Sequence, residues 1–206
     1  MRYAKSIPEN TSIGIPILQV QATDDDYGLN SHLRFTLHGE GAHKFSLNPD
    51  NGYLATMDKL DRETQDKFAL IAKAEDGGGR YCQADVVISV TDVNDNPPRF
   101  NRPQYTVTIP ENAQVKTLLT RVSATDPDIG INRKVRYSFV HSARKQFRID
   151  DLSGLVSLAK PLDRERQHSF NLTLKVCGFP LRIGWFHNVF CIHLGLKLDE
   201  ASYKIG

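Results

Sequence analysis

The sequence predicts an all-β protein built as two tandem sandwiches, and two observations carry that prediction: an internal repeat at constant spacing and a period-two alternation of apolar residues. Ile7-Pro8-Glu9-Asn10 recurs as Ile109-Pro110-Glu111-Asn112, and Leu60-Asp61-Arg62-Glu63 as Leu162-Asp163-Arg164-Glu165; 109 − 7 and 162 − 60 both equal 102. Thr23-Asp24-Asp25-Asp26 pairs with Thr125-Asp126-Pro127-Asp128, Phe45 with Phe147, Gly52 with Gly154 and Phe68 with Phe170, all at the same offset. A period near a hundred residues suits a whole domain better than a solenoid unit.

Alternation is visible in Tyr105, Val107, Ile109; in Leu33, Phe35, Leu37 and Val135, Tyr137, Phe139; in Phe68, Leu70, Ala72 and Phe170, Leu172, Leu174; and in Val86, Ile88, Val90. Period two marks strands with one buried face. Asp50-Asn51-Gly52, Ser153-Gly154 and Gly77-Gly78-Gly79 supply turns between them, and no helical stripe runs through a dozen residues. Each repeat reads as a seven-strand Greek-key sandwich of immunoglobulin-like architecture, the two joined end to end. The first spans 1–98 and includes a linker at 92–98, the second spans 99–178, and 179–206 is a divergent tail.

The chain has 206 residues, enough for two domains that each bury a core, and a net charge of only +2, which recruits neither nucleic acid nor anionic membrane. Cys82, Cys177 and Cys191 form neither a paired framework nor a metal-spaced set. No apolar signal segment precedes Ile7, and Tyr3 aligns with Tyr105, so the chain is expected to begin inside its first strand. The apolar run Ile183 to Leu196 holds fourteen residues, short of the roughly 20 a spanning helix needs.

Acidic residues gather at the repeat boundaries. In an extended segment Asp61 and Glu63 would point the same way while Arg62 faces elsewhere, and Asp126 and Asp128 would do likewise. Asp92-Val93-Asn94-Asp95-Asn96 is a dense run of oxygen donors that Pro97-Pro98 terminates. Carboxylate, amide and backbone oxygens in tolerant geometry suit Ca²⁺ better than Mg²⁺, which demands a strict octahedron. Like charges about 5 Å apart repel by about 3 kcal/mol at an effective dielectric near 20, so convergence of these acids calls for a cation.

An EF-hand is excluded, because the bidentate Glu required at position twelve is Tyr137 counting from Asp126 and Phe35 counting from Asp24. Recurrence of the same acid pair in both repeats speaks for a structural element and against a glycosidase acid and base. The chain is therefore not expected to be an enzyme or to take a small-molecule substrate.

These motifs resemble those of cadherin ectodomains: proline-glutamate-asparagine at 8–10 and 110–112, Leu-Asp-Arg-Glu at 60–63 and 162–165, Asp-x-Asp at 24/26 and 126/128, Ala74-Glu75-Asp76, and Asp92-Val93-Asn94-Asp95-Asn96-Pro97. The likeness spans residues 3 to about 176 and is greatest to Fat-type or protocadherin-type members. It implies Ca²⁺ at the linker, held by Glu9, Asp61, Glu63, Asp92, Asn94, Asp95 and Asn96 with Asp126, Asp128 and the Asn132 carbonyl. Asp24, Asp26, Asn30 and Asp76 would serve an upstream junction, and Glu111, Asp163 and Glu165 a downstream one. The resemblance further implies calcium-dependent cell adhesion on the extracellular side of the plasma membrane. The partner would be a cadherin ectodomain on a neighbouring cell, homophilic or heterophilic, with membrane contact only through a single-pass parent chain. The competing expectation is a soluble or truncated product that acts as a decoy or lacks adhesive function. Asn171 and, less favourably placed beside Glu9, Asn10 head glycosylation sequons.

The pattern breaks late in the second repeat. Adding 102 to Asp76 gives Gly178, and no second Asp-x-Asn-Asp-Asn-Pro follows. At the same offset Ala84, Ile88 and Val90 map to Phe186, Phe190 and Ile192, so a surrogate last strand with Leu194 is expected, while Val86 maps to Asn188. An unpaired amide in the core costs roughly 1 to 3 kcal/mol, which predicts a strained or frayed strand and disorder after Leu198.

Overall fold

The computed structural model describes residues 1–140, 145–178 and 190–199, with backbone alone at 29, 30, 190 and 192. The chain divides into two compact units, Met1–Val93 and Asn94–Gly206.

In the first unit, strands β1 (Arg2–Pro8), β2 (Pro16–Gln19), β3 (Arg34–His38), β4 (Phe45–Leu47), β5 (Tyr53–Thr56), β6 (Lys67–Glu75) and β7 (Tyr81–Thr91) follow one another, with short 3-10 turns at Gly28–Ser31 and Ala42–Lys44. They form a four-stranded sheet in the order β1-β7-β6-β3 and a three-stranded sheet β2-β5-β4. The first and last strands are parallel neighbours, Tyr3 opposite Val86 and Ile7 opposite Val90. In β6 the burial alternates residue by residue, so Phe68, Leu70, Ala72 and Ala74 face the core. Phe45 meets Phe68 edge to face at 5.0 Å, a geometry that aligns a ring's positive edge with the other's negative face.

The second unit repeats this plan with β8 (Arg99–Phe100), β9 (Gln104–Pro110), β10 (Leu118–Arg121), β11 (Ala124–Thr125), β12 (Val135–Phe139), β13 (Phe147–Ile149), β14 (Leu155–Leu158), β15 (Ser169–Gly178) and β16 (Phe190–Asp199). The sheets run β12-β15-β16-β9 and β10-β14-β13, with β8 and β11 as an added pair. Phe147 and Phe170 reproduce the edge-to-face contact at 5.1 Å. Gly52 and Gly154 share left-handed φ values of 67° and 69°, and at each a Cβ would collide with a carbonyl oxygen, of Val20 or Val122.

The last strand departs from the constant offset. Segment 190–199, read from the sequence as part of a divergent tail, lies between β15 and β9 within the sheet. Leu194 stands opposite Tyr105 and Leu198 opposite Ile109, where the first unit has Val86 and Val90. Since 194 − 86 and 198 − 90 both equal 108, this strand is displaced six residues from the register expected at 102. The reason is local. Leu194, Leu196 and Leu198 alternate with His193, Gly195 and Lys197, and the three leucines are buried to 0%, 1% and 6% exposure. An even displacement keeps side-chain parity, so the apolar face still turns inward. In place of the strand expected at the 102 offset, a leucine-faced one pairs on both sides. Phe186, Asn188 and residues 200–206 lie outside the described residues.

Candidate metal sites

Glu9 follows β1 directly, and its backbone N–H donates to Thr91 O at 3.1 Å. That bond aims the side chain inward, where it is buried to 4% exposure. Its two oxygens are oriented by main-chain donors: Oε1 accepts from Val93 N at 2.7 Å and Oε2 from Arg62 N at 2.9 Å. Glu9, Glu63 and Asp92 each bring a carboxylate oxygen within 4.8 Å of the others.

The Asp61-Arg62-Glu63 segment differs from the extended conformation that its spacing predicted. It is a turn, in which Gln65 N donates to Asp61 O at 2.9 Å. Asp61 caps that turn, accepting from Glu63 N at 3.1 Å and from Thr64 Oγ1 at 2.7 Å. The Thr64 hydroxyl holds the Asp61 carboxyl below its ordinary range. The turn still leaves Asp61 and Glu63 side chain to side chain, and of the two it is Glu63 that joins Glu9 and Asp92. Arg62 does not face elsewhere. Its Nε donates to Asp92 Oδ1 at 2.5 Å and its terminal nitrogen to Glu63 Oε1. Burial and the neighbouring Glu9 charge push the Glu63 carboxyl up, in spite of Arg62. Burial opposes the Arg62 charge, but the bond to Asp92 and the attraction of Asp92 and Glu63 prevail and raise it.

A second acid group in the first unit joins Asp24, Asp26 and Asp76. Asp24 Oδ1 accepts from Asp26 N at 2.8 Å, Asp76 Oδ1 accepts from Arg80 N at 2.8 Å, and Arg80 Nη1 lies 4.0 Å from Asp26 Oδ2. The Asn30 side chain is outside the described atoms.

In the second unit, Asp126 and Asp128 are buried to 4% and 0% exposure. Asp128 N donates to Asp126 Oδ1 at 3.0 Å, folding the Asp-x-Asp loop onto its own carboxylate. Asn96 Nδ2 donates to Asp95 Oδ1 at 2.9 Å and to Asp128 Oδ1 at 3.0 Å. Asn94 is half-buried and Asp95 exposed, and Asn132 N donates to Ile129 O at 3.1 Å in the loop that follows. Gly178 is buried beside Asp126. The other end of this unit repeats the Leu-Asp-Arg-Glu turn, with Gln167 N donating to Asp163 O at 3.0 Å and Arg166 N to Asp163 Oδ1 at 3.1 Å. Glu111 N donates to Asp199 O as Glu9 N does to Thr91 O, while Glu111 is half-buried and Glu165 exposed. Asn171 is exposed on β15 opposite Gly195, and Asn10 is exposed in the turn after β1.

These donors fit Ca²⁺. They are all oxygen, several are buried, and a buried carboxylate is costly unless a positive charge compensates it. Sequence reasoning missed Arg62, although a basic residue between two acids in a repeated motif was the available signal. It also missed Thr64, whose Asp-x-x-Thr spacing announces a capped turn.

Two β-sandwiches of one plan, each carrying groups of acidic oxygens, define a tandem β-sandwich module. The chain belongs to the cadherin family: the model for the cadherin domain matches residues 3–91 and 105–177. It is 50% identical over 183 residues to human Protocadherin Fat 1, covering 88% of this chain and 4% of that protein. It is 43% identical to the Drosophila melanogaster Fat-like cadherin-related tumor suppressor homolog, covering 87% of the chain and 4% of the relative. Among solved structures it superimposes on mouse Cadherin-23 EC22-24 with a TM-score of 0.85 at 26% identity, over 96% of this chain and 63% of that one. The chain thus spans about 4% of the length of its Fat relatives. The family consists of non-enzymatic adhesion modules, for which calcium and an extracellular setting are typical. The relatives are cell-surface membrane cadherins, and no helix among the described residues is long and apolar enough to cross a membrane.

Proposed function

We propose that this chain is a calcium-dependent cell-adhesion module on the extracellular side of the plasma membrane, stiffened by Ca²⁺ at its inter-repeat linker. The ligands in this reading are Glu9, Asp61, Glu63, Asp92, Asn94, Asp95, Asn96, Asp126, Asp128 and the Asn132 carbonyl. The supporting observation is the burial of Glu9, Asp126 and Asp128, three carboxylates at 4% exposure or less that a folded protein retains only against compensating positive charge. Bound calcium would supply that charge. The chain's own part is to hold the oxygens in place beforehand: main-chain N–H groups orient Glu9 and Asp126, and Asn96 orients Asp128. Asp61 enters the ligand set by turning away from its cap on Thr64.

With a dissociation constant near 10⁻⁴ M and millimolar calcium, each independent site would contribute about 1.4 kcal/mol. The partner is a cadherin ectodomain on a neighbouring cell, and Asn171, exposed on its strand, carries the N-glycan. Isothermal titration of calcium into the chain and into Asp95→Ala tests the ligand assignment, with weaker binding expected for the variant. Small-angle scattering with and without chelator tests the stiffening. Equal affinities would sink the assignment, and an unchanged maximum dimension would sink the mechanical role.

A further inference from the structure

Arg62 is the one strongly basic side chain bonded to two members of the Glu9, Glu63 and Asp92 group among the described residues. Its side chain is only 10% exposed, and it reaches Asp92 through Nε and Glu63 through a terminal nitrogen. A guanidinium fork and a divalent cation make the same demand on a carboxylate, namely its in-plane lone pairs. Arg62 therefore holds one oxygen each of Glu63 and Asp92, two of the three carboxylates that would serve an ion. The main chain of Arg62 is fixed separately, since its N–H donates to Glu9 Oε2 at 2.9 Å. Only the side chain has to swing for the carboxylates to be released, and four rotatable bonds allow it to do so without disturbing the turn.

We propose that Arg62 is an internal counter-ion that competes with calcium for Glu63 and Asp92. It neutralises the acid group when calcium is scarce, and it surrenders the oxygens when calcium binds. Calcium affinity is accordingly set below what the carboxylates alone would give, because each binding event breaks an ion pair of low exposure. Arg164 occupies the same place in the second Leu-Asp-Arg-Glu turn. This inference rests on the calcium reading above.

The experiment is calcium titration by isothermal calorimetry, with thermal melting in chelator and in calcium, on the whole chain, Arg62→Met and Arg62→Gln. Met keeps the aliphatic stem, and Gln keeps a hydrogen-bond donor while removing the charge. Both variants should bind calcium at least about threefold more tightly, the effect of relieving about 0.65 kcal/mol or more of competition. Both should also melt lower in chelator and show a larger rise in melting temperature on calcium addition. Arg62→Lys should return all three readouts toward the unsubstituted chain. Calcium binding that is unchanged or weaker in the charge-removing variants overturns the proposal while leaving the functional reading intact. If Arg62→Met does not fold in chelator, the Arg62→Gln titration decides by the same criterion. An unsubstituted chain that takes up no calcium overturns both readings.

Discussion

A Cβ placed on Gly178 would stand 3.6 Å from Asp126 Oδ2, in the position where the first unit has Asp76 grouped with Asp24 and Asp26. The second unit thus keeps the Asp-x-Asp pair and has glycine where the first has its third carboxylate. Gly178→Asp should restore it and tighten calcium binding severalfold by isothermal titration. In chelator the same variant should melt lower, since two like charges about 5 Å apart repel by about 3 kcal/mol at a dielectric near 20. Unchanged affinity would show that this position does not face the ion.

Lys116 has φ of 73°, a left-handed conformation that its counterpart Gly14 adopts at 83° without strain. Both residues make the same bond, Lys116 N to Leu158 O at 2.7 Å and Gly14 N to Thr56 O at 2.8 Å. Lys116→Gly should stabilise the second sandwich by up to about 1 kcal/mol, the left-handed penalty less the entropy of glycine. Chemical denaturation followed on the second transition checks this, and a loss of stability would contradict it.

Asp150 and Asn48 cap equivalent turns, Asp150 accepting from Ser153 Oγ and Ser153 N and Asn48 from Asp50 N and Asn51 N. The Ser153 hydroxyl and the turn N–H groups hold the Asp150 carboxyl below its ordinary range. Because the folded value is depressed, its stabilising contribution is complete above the unfolded value of about 3.9 and disappears as pH falls through the folded value. Asp150→Asn should flatten that acid limb for the second sandwich and leave the first unaltered. Urea denaturation from pH 7 to pH 2 measures it, and superimposable limbs would refute the assignment.

Leu196 is 1% exposed and lies opposite Phe170 on one side and Val107 on the other. Leu196→Ala should cost about 2 to 5 kcal/mol in the second unit, the range for a cavity in a packed core. Amides 193–199 should resist hydrogen exchange as firmly as amides 85–91. Exchange of the former within seconds would mean that β16 is not a full member of its sheet.

The sandwiches were legible because alternation and offset are direct consequences of strand geometry: Phe45 with Phe68 and Phe147 with Phe170 meet alike since both pairs keep their spacing. The displacement of β16 was not legible from a constant offset, which assumes equal connections. A better guide was the run Leu194, Leu196, Leu198, whose own period specifies the buried face. At the acid groups, Glu9, Glu63 and Asp92 could be nominated from their type and recurrence. Arg62 was passed over despite its place between two acids, because the expectation that it points away came from strand geometry applied to a turn capped by Asp61.

The parallel pairing of first and last strands has a mechanical corollary. In the first unit β1 and β7 run side by side through seven paired positions, Arg2 with Asp85 to Pro8 with Thr91, and β9 and β16 do the same from Gln104 with His193 to Pro110 with Asp199. Neighbouring parallel strands place the start of one and the end of the other at opposite poles of a sandwich. Tension entering at one pole and leaving at the other therefore pulls the two strands past each other, straining the whole ladder at once instead of unzipping it bond by bond. Each sandwich loaded from pole to pole would resist rupture through this shear geometry, independently of how tightly any ion is held.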